Sequence, residues 1–146
     1  MAIQYPVGPG TVLLCDYSKG GFLEPEMIKR RPAVVVSPRL PYRDGLCSVV
    51  PLSGSEPAKP VPYVARIDLP APLPPPFEQS VWWAKCDMLA TVGFGRLDLF
   101  RTARDQTGKR KYIQPKLSEV AFRAVQEAIL AALGMQDLTF EWKDSS

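Results

Sequence analysis

The hydrophobic period of the chain changes once, near Leu117, and this change constrains the fold more than any other feature. Before it, apolar residues occur in short β-type runs that are separated by turns. From residue 117 to residue 133 they follow helical spacing, with Ser118 placed as an N-cap and Gly134 at the stop position. We therefore expect a mainly β chain with one core-packing C-terminal helix (α+β), built as a small, twisted SH3-like barrel.

Short β-type runs and turn signals fill the chain before the helix. The runs are residues 11–17, 32–36, 47–52, 63–69, 81–85 and 88–92. Asp44-Gly45 is a turn signal between the second and third runs, so these two strands are expected to be neighbours. Residues 70–76 (PAPLPPP) hold too much proline for a central strand or a helix, and we expect an extended polyproline segment there.

The length of 146 residues, with 46% hydrophobic content, suffices to bury one core. We therefore expect a single domain over residues 1–146, with the proline-rich segment at about 70–76 as an insertion.

Charge and composition narrow the classes of function. A net charge of +3 permits a nucleic-acid partner without requiring one. The basic run between Arg96 and Lys116 is either a solvated loop or a contact to an RNA backbone, and the two interpretations have equal weight. The chain contains no histidine. This excludes a serine–histidine hydrolase, a ribonuclease with two catalytic histidines and nearly every common zinc site, so we expect no metal and no cofactor.

Cysteine usage indicates the compartment. The three cysteines are odd in number and lack CxxC spacing, and the first residues do not form a charged and then apolar leader. Reduced thiols in a cytoplasmic protein are therefore expected. No window approaches the roughly 20 apolar residues of a membrane span, so we expect no membrane association.

A cluster of cations lies where a loop becomes a strand, in residues 26–32 (EMIKRRP). Pro32 biases Arg31 out of the helical region, so its guanidinium is expected at the mouth of an extended strand. Such a fork is always charged and rich in donors, which suits phosphate oxygens. Lys29 and Arg30, which precede it, are candidate substrate-binding residues, and we expect them to line one groove together with Arg31 and Lys85.

Several stretches give the chain a resemblance to the MazF/PemK (Kid) family of toxins from type II toxin–antitoxin systems. In the family's order and at similar spacings, they are residues 9–16 (PGTVLLCD), 31–38 (RPAVVVSP), 49–53 (VVPLS) and 84–92 (AKCDMLATV). The resemblance implies the fold that this family shares with the gyrase poison CcdB. It also implies a homodimer with the RNA channel across its interface, and a cognate antitoxin whose disordered tail folds onto the groove.

By this resemblance the expected activity is metal-free cleavage of single-stranded RNA. The ribose 2′-hydroxyl attacks the adjacent phosphate and leaves 2′,3′-cyclic phosphate and 5′-hydroxyl ends. Arg31 matches the family's Arg before Pro and would neutralise the phosphorane, although it is alternatively a structural Arg paired with Glu26 or Asp16. Ser53 matches the family's Thr or Ser and would hydrogen-bond the scissile phosphate, although it is alternatively a turn serine before Gly54.

The resemblance also implies an acid and a base. Asp87 matches the Asp of an Arg-Cys-Asp motif and is the implied base. Lys85 stands where that motif has Arg, and it keeps the charge without the fork, so the general acid is either Lys85 or Arg31. Glu26 matches the acidic residue five positions before the Arg-Pro step, as an orienter of Arg31 or an alternative base. Pro25 replaces a His of the PemK branch.

Trp82 and Trp83 are adjacent, and adjacent strand positions point to opposite faces. One ring can therefore fill the core while Trp83 stacks a splayed RNA base. The alternative, in which both rings serve the core or a dimer interface, is favoured. Cys86 is interpreted as a small core residue.

Two other classes of function remain open. One is a CcdB-like toxin that inhibits DNA gyrase, although a pure protein binder would not need Arg31, Ser53 and Asp87. The other is a non-catalytic SH3-like module that binds RNA or peptide, which the departures at Lys85 and Pro25 keep open.

Overall fold

The computed structural model describes residues 2–102 and 104–138. Within them lie nine strands, two 3₁₀ turns and one α-helix. The strands are β1 (Val12–Asp16), β2 (Arg30–Val35), β3 (Leu46–Ser53), β4 (Val64–Asp68), β5 (Val81–Lys85), β6 (Ala90–Gly93), β7 (Leu97–Asp98), β8 (Phe100–Arg101) and β9 (Tyr112–Ile113). The 3₁₀ turns are Cys86–Met88 and Phe94–Arg96, and helix α1 is Glu119–Ala132.

Antiparallel pairs arrange the main sheet in the order β4-β5-β3-β2-β1-β7. Strand β6 also pairs with β3, and β8 and β9 form a separate hairpin. The predicted mainly β fold with a C-terminal helix is confirmed. In the part of the chain that the structure describes, the pairs form an open order with β4 and β7 at its ends rather than a closed ring.

The two faces of the sheet bury two separate cores. The helix-side core contains Val34, Leu52, Ile67 and Trp82 together with Val125 of α1. The loop-side core, on the opposite face, is built from Leu13, Cys15, Tyr17, Ala33, Val35 and Leu97. Because β2 is covered on both faces, its apolar residues run without alternation, as the sequence in residues 33–36 does.

Helix α1 begins and ends as predicted. The Ser118 side chain caps it by accepting a hydrogen bond from the Ala121 amide at 3.2 Å. Gly134 follows its end with φ of +72°, the left-handed conformation that glycine adopts most easily. Val120 is 82% exposed because it lies outside the stripe that carries the buried Val125. Val120 nevertheless falls within the run of residues 117–133 whose apolar positions follow helical spacing. No helix in the described ranges is long and apolar enough to cross a membrane.

The predicted strands differ from the observed ones mainly at their ends. The strand predicted at residues 88–92 starts at Ala90, because Cys86–Met88 form a 3₁₀ turn. Strands β7, β8 and β9 were not predicted, and each is two residues long. The proline-rich segment contains no strand or helix, and its Leu73 is buried in the helix-side core.

Strand β3 pairs with two strands in succession along one edge. Leu52 and Ser53 pair with β5, whereas residues 46–49 pair with β6. The Ser48 carbonyl accepts from Val36 on the β2 side, so alternation turns the backbone groups of Pro51 toward the other edge. Pro51 therefore faces the interval between β5 and β6. Proline has no N–H group, so this interruption leaves no donor of Pro51 without a partner.

Candidate functional site

A row of side chains crosses the sheet at the end of β2. Cys15 of β1 is opposite Arg31 of β2, and Ser53 of β3 is opposite Trp83 of β5. The β2–β3 register, in which Ala33 is opposite Pro51, places Arg31 opposite Ser53 when it is continued by two residues. Directly opposed residues share a face, so Arg31, Ser53 and Trp83 lie side by side on the loop-side face.

Arg31 is half-buried at the edge of the loop-side core. Its Nη1 donates a long hydrogen bond of 3.5 Å to the Leu52 carbonyl, whereas its Nε is buried and has no hydrogen-bond partner. Burial lowers the pKa of this guanidinium below its ordinary value, and the nearby Tyr17 opposes the shift. An incompletely satisfied cation in a partly desolvated position is costly for the free protein, and a bound anion would reduce that cost.

The structural alternative for Arg31 is not observed. Among the residues that the structure describes, Arg31 makes no ion pair. Asp16 is opposite Arg30, and its carboxylate accepts from the amide and hydroxyl of Ser18. The Ser18 hydroxyl is the main reason why the pKa of Asp16 lies below its usual value. The Glu26 Oε1 accepts from the Leu23 amide at 3.2 Å within its own turn, so it does not orient Arg31.

A cleft of about 420 Å³ lies near this row, although Arg31, Ser53 and Trp83 do not themselves line it. Its lining residues are Tyr17, Phe22, Pro25, Glu26, Met27, Asp87, Met88, Leu89 and Ala90. The cleft brings together the two carboxylates Glu26 and Asp87, which come from the β1–β2 loop and from the 3₁₀ turn after β5. Tyr17 belongs to the cleft and also lies near Arg31, so it connects the two parts of the site.

The hydroxyl of Tyr17 is an unusual feature of this site. It is buried without a hydrogen-bond partner, and the Cys15 thiol lies nearby. Burial raises the pKa of Tyr17 strongly, and the charge of Arg31 lowers it. No sequence pattern indicated a role for Tyr17. Its position could not be inferred from sequence, because it depends on the way the β1–β2 loop folds back over the sheet.

The side chains on β5 divide between the two faces as predicted. Trp82 is 4% exposed in the helix-side core, and its Nε1 donates to the Gln79 carbonyl. Trp83 is half-buried on the loop-side face, next to Ser53. Lys85, two residues on, shares that face and ends the strand opposite Val64. Asp87 follows in the 3₁₀ turn and is exposed.

The structure separates Arg30 from the other predicted site residues. Arg30 and Arg31 are consecutive in β2, so their side chains point to opposite faces. Arg30 lines a different pocket, which also contains the proline-rich segment. The sequence prediction that placed Arg30 and Lys29 in one groove with Arg31 and Lys85 is therefore corrected for Arg30. Lys29 is exposed in the loop before β2.

Arg96 shapes the site, although no sequence signal indicated it. Its guanidinium donates to the carbonyls of Asp16, Lys19 and Gly20 at 3.2, 2.7 and 2.6 Å. It also lies 4.6 Å from the ring centroid of Phe22, in cation–π geometry. These contacts hold residues 16–22 against the end of β6, and Phe22 is part of the cleft. An isolated Arg in a Phe-Gly-Arg sequence carries no pattern from which this role could be predicted.

Replacing Arg96 by Ala is expected to loosen this loop. The change removes hydrogen bonds from a charged donor to three carbonyls, so we expect a loss of about 2 to 3 kcal/mol in the free energy of unfolding. Hydrogen exchange should accelerate selectively in residues 16–22. Lys19→Ala is the matched control, because it removes one bond between the same segments, from Nζ to the Gly95 carbonyl. Unchanged exchange in Arg96→Ala would contradict the assignment.

Within residues 2–102 and 104–138, no group of three or more His, Cys, Asp or Glu side chains is placed to hold a metal ion. Burial raises the pKa of the thiols of Cys15 and Cys86 to about 12 and that of Cys47 to about 11. Such thiols are protonated at neutral pH and are poor nucleophiles and poor metal ligands. Cys86 lies in the helix-side core, as the sequence predicted.

The sequence of the chain is similar to those of known proteins. The family model of the PemK-like, MazF-like toxins of type II toxin–antitoxin systems matches residues 9–133. The Escherichia coli (strain K12) protein YifN is 25% identical over 150 residues, which cover 91% of this chain and 95% of that protein.

Two solved structures share the fold. An endoribonuclease from a Mycobacterial species, in complex with its cognate antitoxin, superposes with a TM-score of 0.60 at 17% identity, covering 89% of this chain and 97% of that one. MazF from Deinococcus radiodurans superposes with a TM-score of 0.56 at 20% identity, covering 90% and 99%.

Proposed function

Because the chain belongs to the family of PemK-like, MazF-like toxins of type II toxin–antitoxin systems, we propose that it is an endoribonuclease that cleaves single-stranded RNA without a metal ion. The whole of residues 1–146 would act as one toxin domain in the cytoplasm. The observation that carries the proposal is the half-buried guanidinium of Arg31, which has an unpartnered Nε and lies opposite Ser53. A cleft with two carboxylates lies near it.

Arg31 would stabilise the charge that develops on the phosphate. The attack of the ribose 2′-hydroxyl produces a phosphorane with an additional negative charge, and a fixed cation next to it lowers the barrier. Partial burial strengthens this effect, because the effective dielectric constant is lower than in water. The planar fork of Arg31 can donate to two phosphate oxygens at once.

Ser53 would donate a hydrogen bond to the same phosphate. Its Oγ already accepts from the Ser55 amide at 3.3 Å, so its hydrogen remains available for a phosphate oxygen. Ser53 is 5% exposed, so the packing around strand β3 fixes the position of its side chain. Trp83, opposite it on β5, offers a half-buried ring to an adjacent base.

Proton transfer completes the reaction. A carboxylate of the cleft, Asp87 or alternatively Glu26, would take the proton of the 2′-hydroxyl as its oxygen bonds to phosphorus. The bond from phosphorus to the 5′-oxygen then breaks, and Lys85 or Arg31 would give that oxygen a proton. The products are a 2′,3′-cyclic phosphate and a 5′-hydroxyl, so protons and charges balance without a cofactor.

We also propose that the protein has a cognate antitoxin and acts as a homodimer. The structural similarity to an endoribonuclease in complex with its cognate antitoxin supports the proposal of an antitoxin partner. An acidic antitoxin segment with aromatic or aliphatic anchors would compete with RNA for Arg31 and Lys85, and its apolar anchors would occupy the cleft beside Phe22.

Cleavage by the purified protein in a chelator tests the proposed activity. We expect a long single-stranded RNA to be cut at an unchanged rate in excess chelator, because every proposed role belongs to a side chain. The fragments should carry 2′,3′-cyclic phosphate and 5′-hydroxyl ends. Loss of cleavage in chelator with recovery in magnesium would overturn the mechanism. Absence of cleavage under all conditions would favour a gyrase inhibitor or a binding module. Growth arrest on expression cannot replace this test, because a gyrase inhibitor would cause it too.

A further inference from the structure

A second pocket lies on the face of β2 opposite to Arg31 and has a volume of about 360 Å³. Three arginines line it, although they come from three separate segments: Arg30 begins β2, Arg101 ends β8 and Arg110 precedes β9. The other lining residues are Leu14, Pro74, Pro75, Pro76, Phe77, Asp98, Leu99 and Phe100. The catalytic mechanism proposed above does not use this pocket.

The charge of the pocket favours an anion. Three guanidinium groups face one carboxylate, that of Asp98, so the lining carries an excess of two positive charges. Like charges that the fold holds together repel each other, and an anionic ligand relieves that repulsion. Guanidinium groups also match the geometry of phosphate oxygens better than other cationic side chains do.

The surrounding hairpin carries the same sign of charge. Residues 100–113, which contain β8 and β9, hold five lysines and arginines and one acid, a net charge of +4. The whole chain carries +3, so the remaining residues together carry −1. The positive charge is therefore concentrated in this hairpin, and two of its five cations, Arg101 and Arg110, line the pocket.

The walls of the pocket are rings rather than hydrogen-bond donors. Pro74, Pro75 and Pro76 have no amide N–H group, so the proline-rich segment cannot donate to an anion. Phe77 is held by Phe100 and Trp82, with ring centroids 6.3 Å away in both pairs. The arginines are therefore the natural partners of a phosphate, and the ring walls offer apolar contact to a ribose or a base.

We propose that this pocket binds the phosphodiester backbone of single-stranded RNA at a position separate from the scissile phosphate. The proposal rests on the proposed function, because it extends the path of the same substrate. Arg30 and Arg31 are consecutive residues that point to opposite faces at the start of β2. An RNA strand that bends around this end of β2 contacts both sites. A peptide with several carboxylates fits less well, because it lacks the ribose and base surfaces that the ring walls can contact.

The test measures RNA affinity without cleavage. The probe is a fluorescent 2′-O-methyl RNA of mixed sequence and about 20 nucleotides, long enough for several backbone contacts, in which the attacking hydroxyl is blocked. We expect Arg110→Ala to bind it about fivefold more weakly at low salt. The slope of log affinity against log salt should fall by about 0.7, the value for one lost phosphate contact on a single strand. Arg110→Lys should recover most of the slope.

Lys109→Ala is the matched control, because it removes one positive charge from the same hairpin outside the pocket. Its affinity and slope should change clearly less than those of Arg110→Ala. Equal effects of Lys109→Ala and Arg110→Ala would overturn the proposal, since the charge of the hairpin and not the pocket would then be responsible. An unchanged affinity in Arg110→Ala, or a wild-type protein that binds no RNA, would overturn it too. A wild type that binds the probe but cleaves no unmodified RNA would refute the proposed activity alone.

Discussion

Arg31→Ala is expected to lower the rate of RNA cleavage by at least about 10²- to 10³-fold while leaving the fold intact. Removal of one preorganised donor from a developing oxyanion has an effect of that size, and here a full positive charge is lost as well. The stability cost should be within about 1 kcal/mol, because Arg31 makes a single long hydrogen bond and leaves its Nε unpartnered. Single-turnover cleavage and denaturant unfolding are the two measurements.

Two further variants make this test specific. Arg31→Lys should fall far short of the wild type, because an ammonium group cannot reproduce a planar fork. Arg43→Ala removes an exposed arginine from the loop between β2 and β3 and serves as the charge-matched control. Cleavage at the wild-type rate by folded Arg31→Ala would remove Arg31 from the mechanism.

A steep loss of stability above pH 9 is the second large effect that we expect. Burial raises the pKa of the Cys15 and Cys86 thiols to about 12, from 9.0 for an ordinary thiol. Between these values the folded protein keeps two protons that the unfolded chain has released. The stabilisation is therefore complete below pH 9 and is lost as the pH rises toward 12. Two such thiols give a slope of about 3 kcal/mol per pH unit.

Urea unfolding from about pH 8 to about pH 11 measures this slope. The double variant Cys15→Ala, Cys86→Ala should flatten it, even though the loss of two buried sulfur atoms lowers the stability at neutral pH. Cys47→Ala is the comparison, because this thiol is only half-buried and its pKa is raised to about 11. The buried Tyr17, whose pKa is also raised, contributes in the same direction. An equally steep slope in the double variant would contradict the assignment to these thiols.

The sequence predicted those features of the fold that are determined by residues close together in the chain. The cap at Ser118 and the glycine at Gly134 mark the helix, because both groups satisfy backbone atoms within one turn. The turn at Asp44-Gly45 correctly indicated that β2 and β3 are neighbours. The short strands β7, β8 and β9 were missed, since two residues cannot display a period.

The candidate site was predictable in its residue types and less so in its geometry. Arg31 was predicted at the mouth of a strand, and that is where it lies. Arg30 was misplaced because the predicted strand began at Pro32, so the alternation of faces was not extended to the cations before it. Arg96 and Tyr17 depend on contacts between segments far apart in the chain, and no local pattern encodes such contacts.

The position of Pro51 has a consequence for how this site can vary. The turn that carries Asp87 lies beside an interruption that Pro51 tolerates, because the missing N–H group of proline needs no partner there. Strands β5 and β6 each keep their own pairing with β3 on either side of that interruption. A substitution at the exposed Asp87 of this turn can therefore leave the register of both strands unchanged. The fold thus holds an exposed carboxylate at a position that can vary independently of the two strand pairings around it.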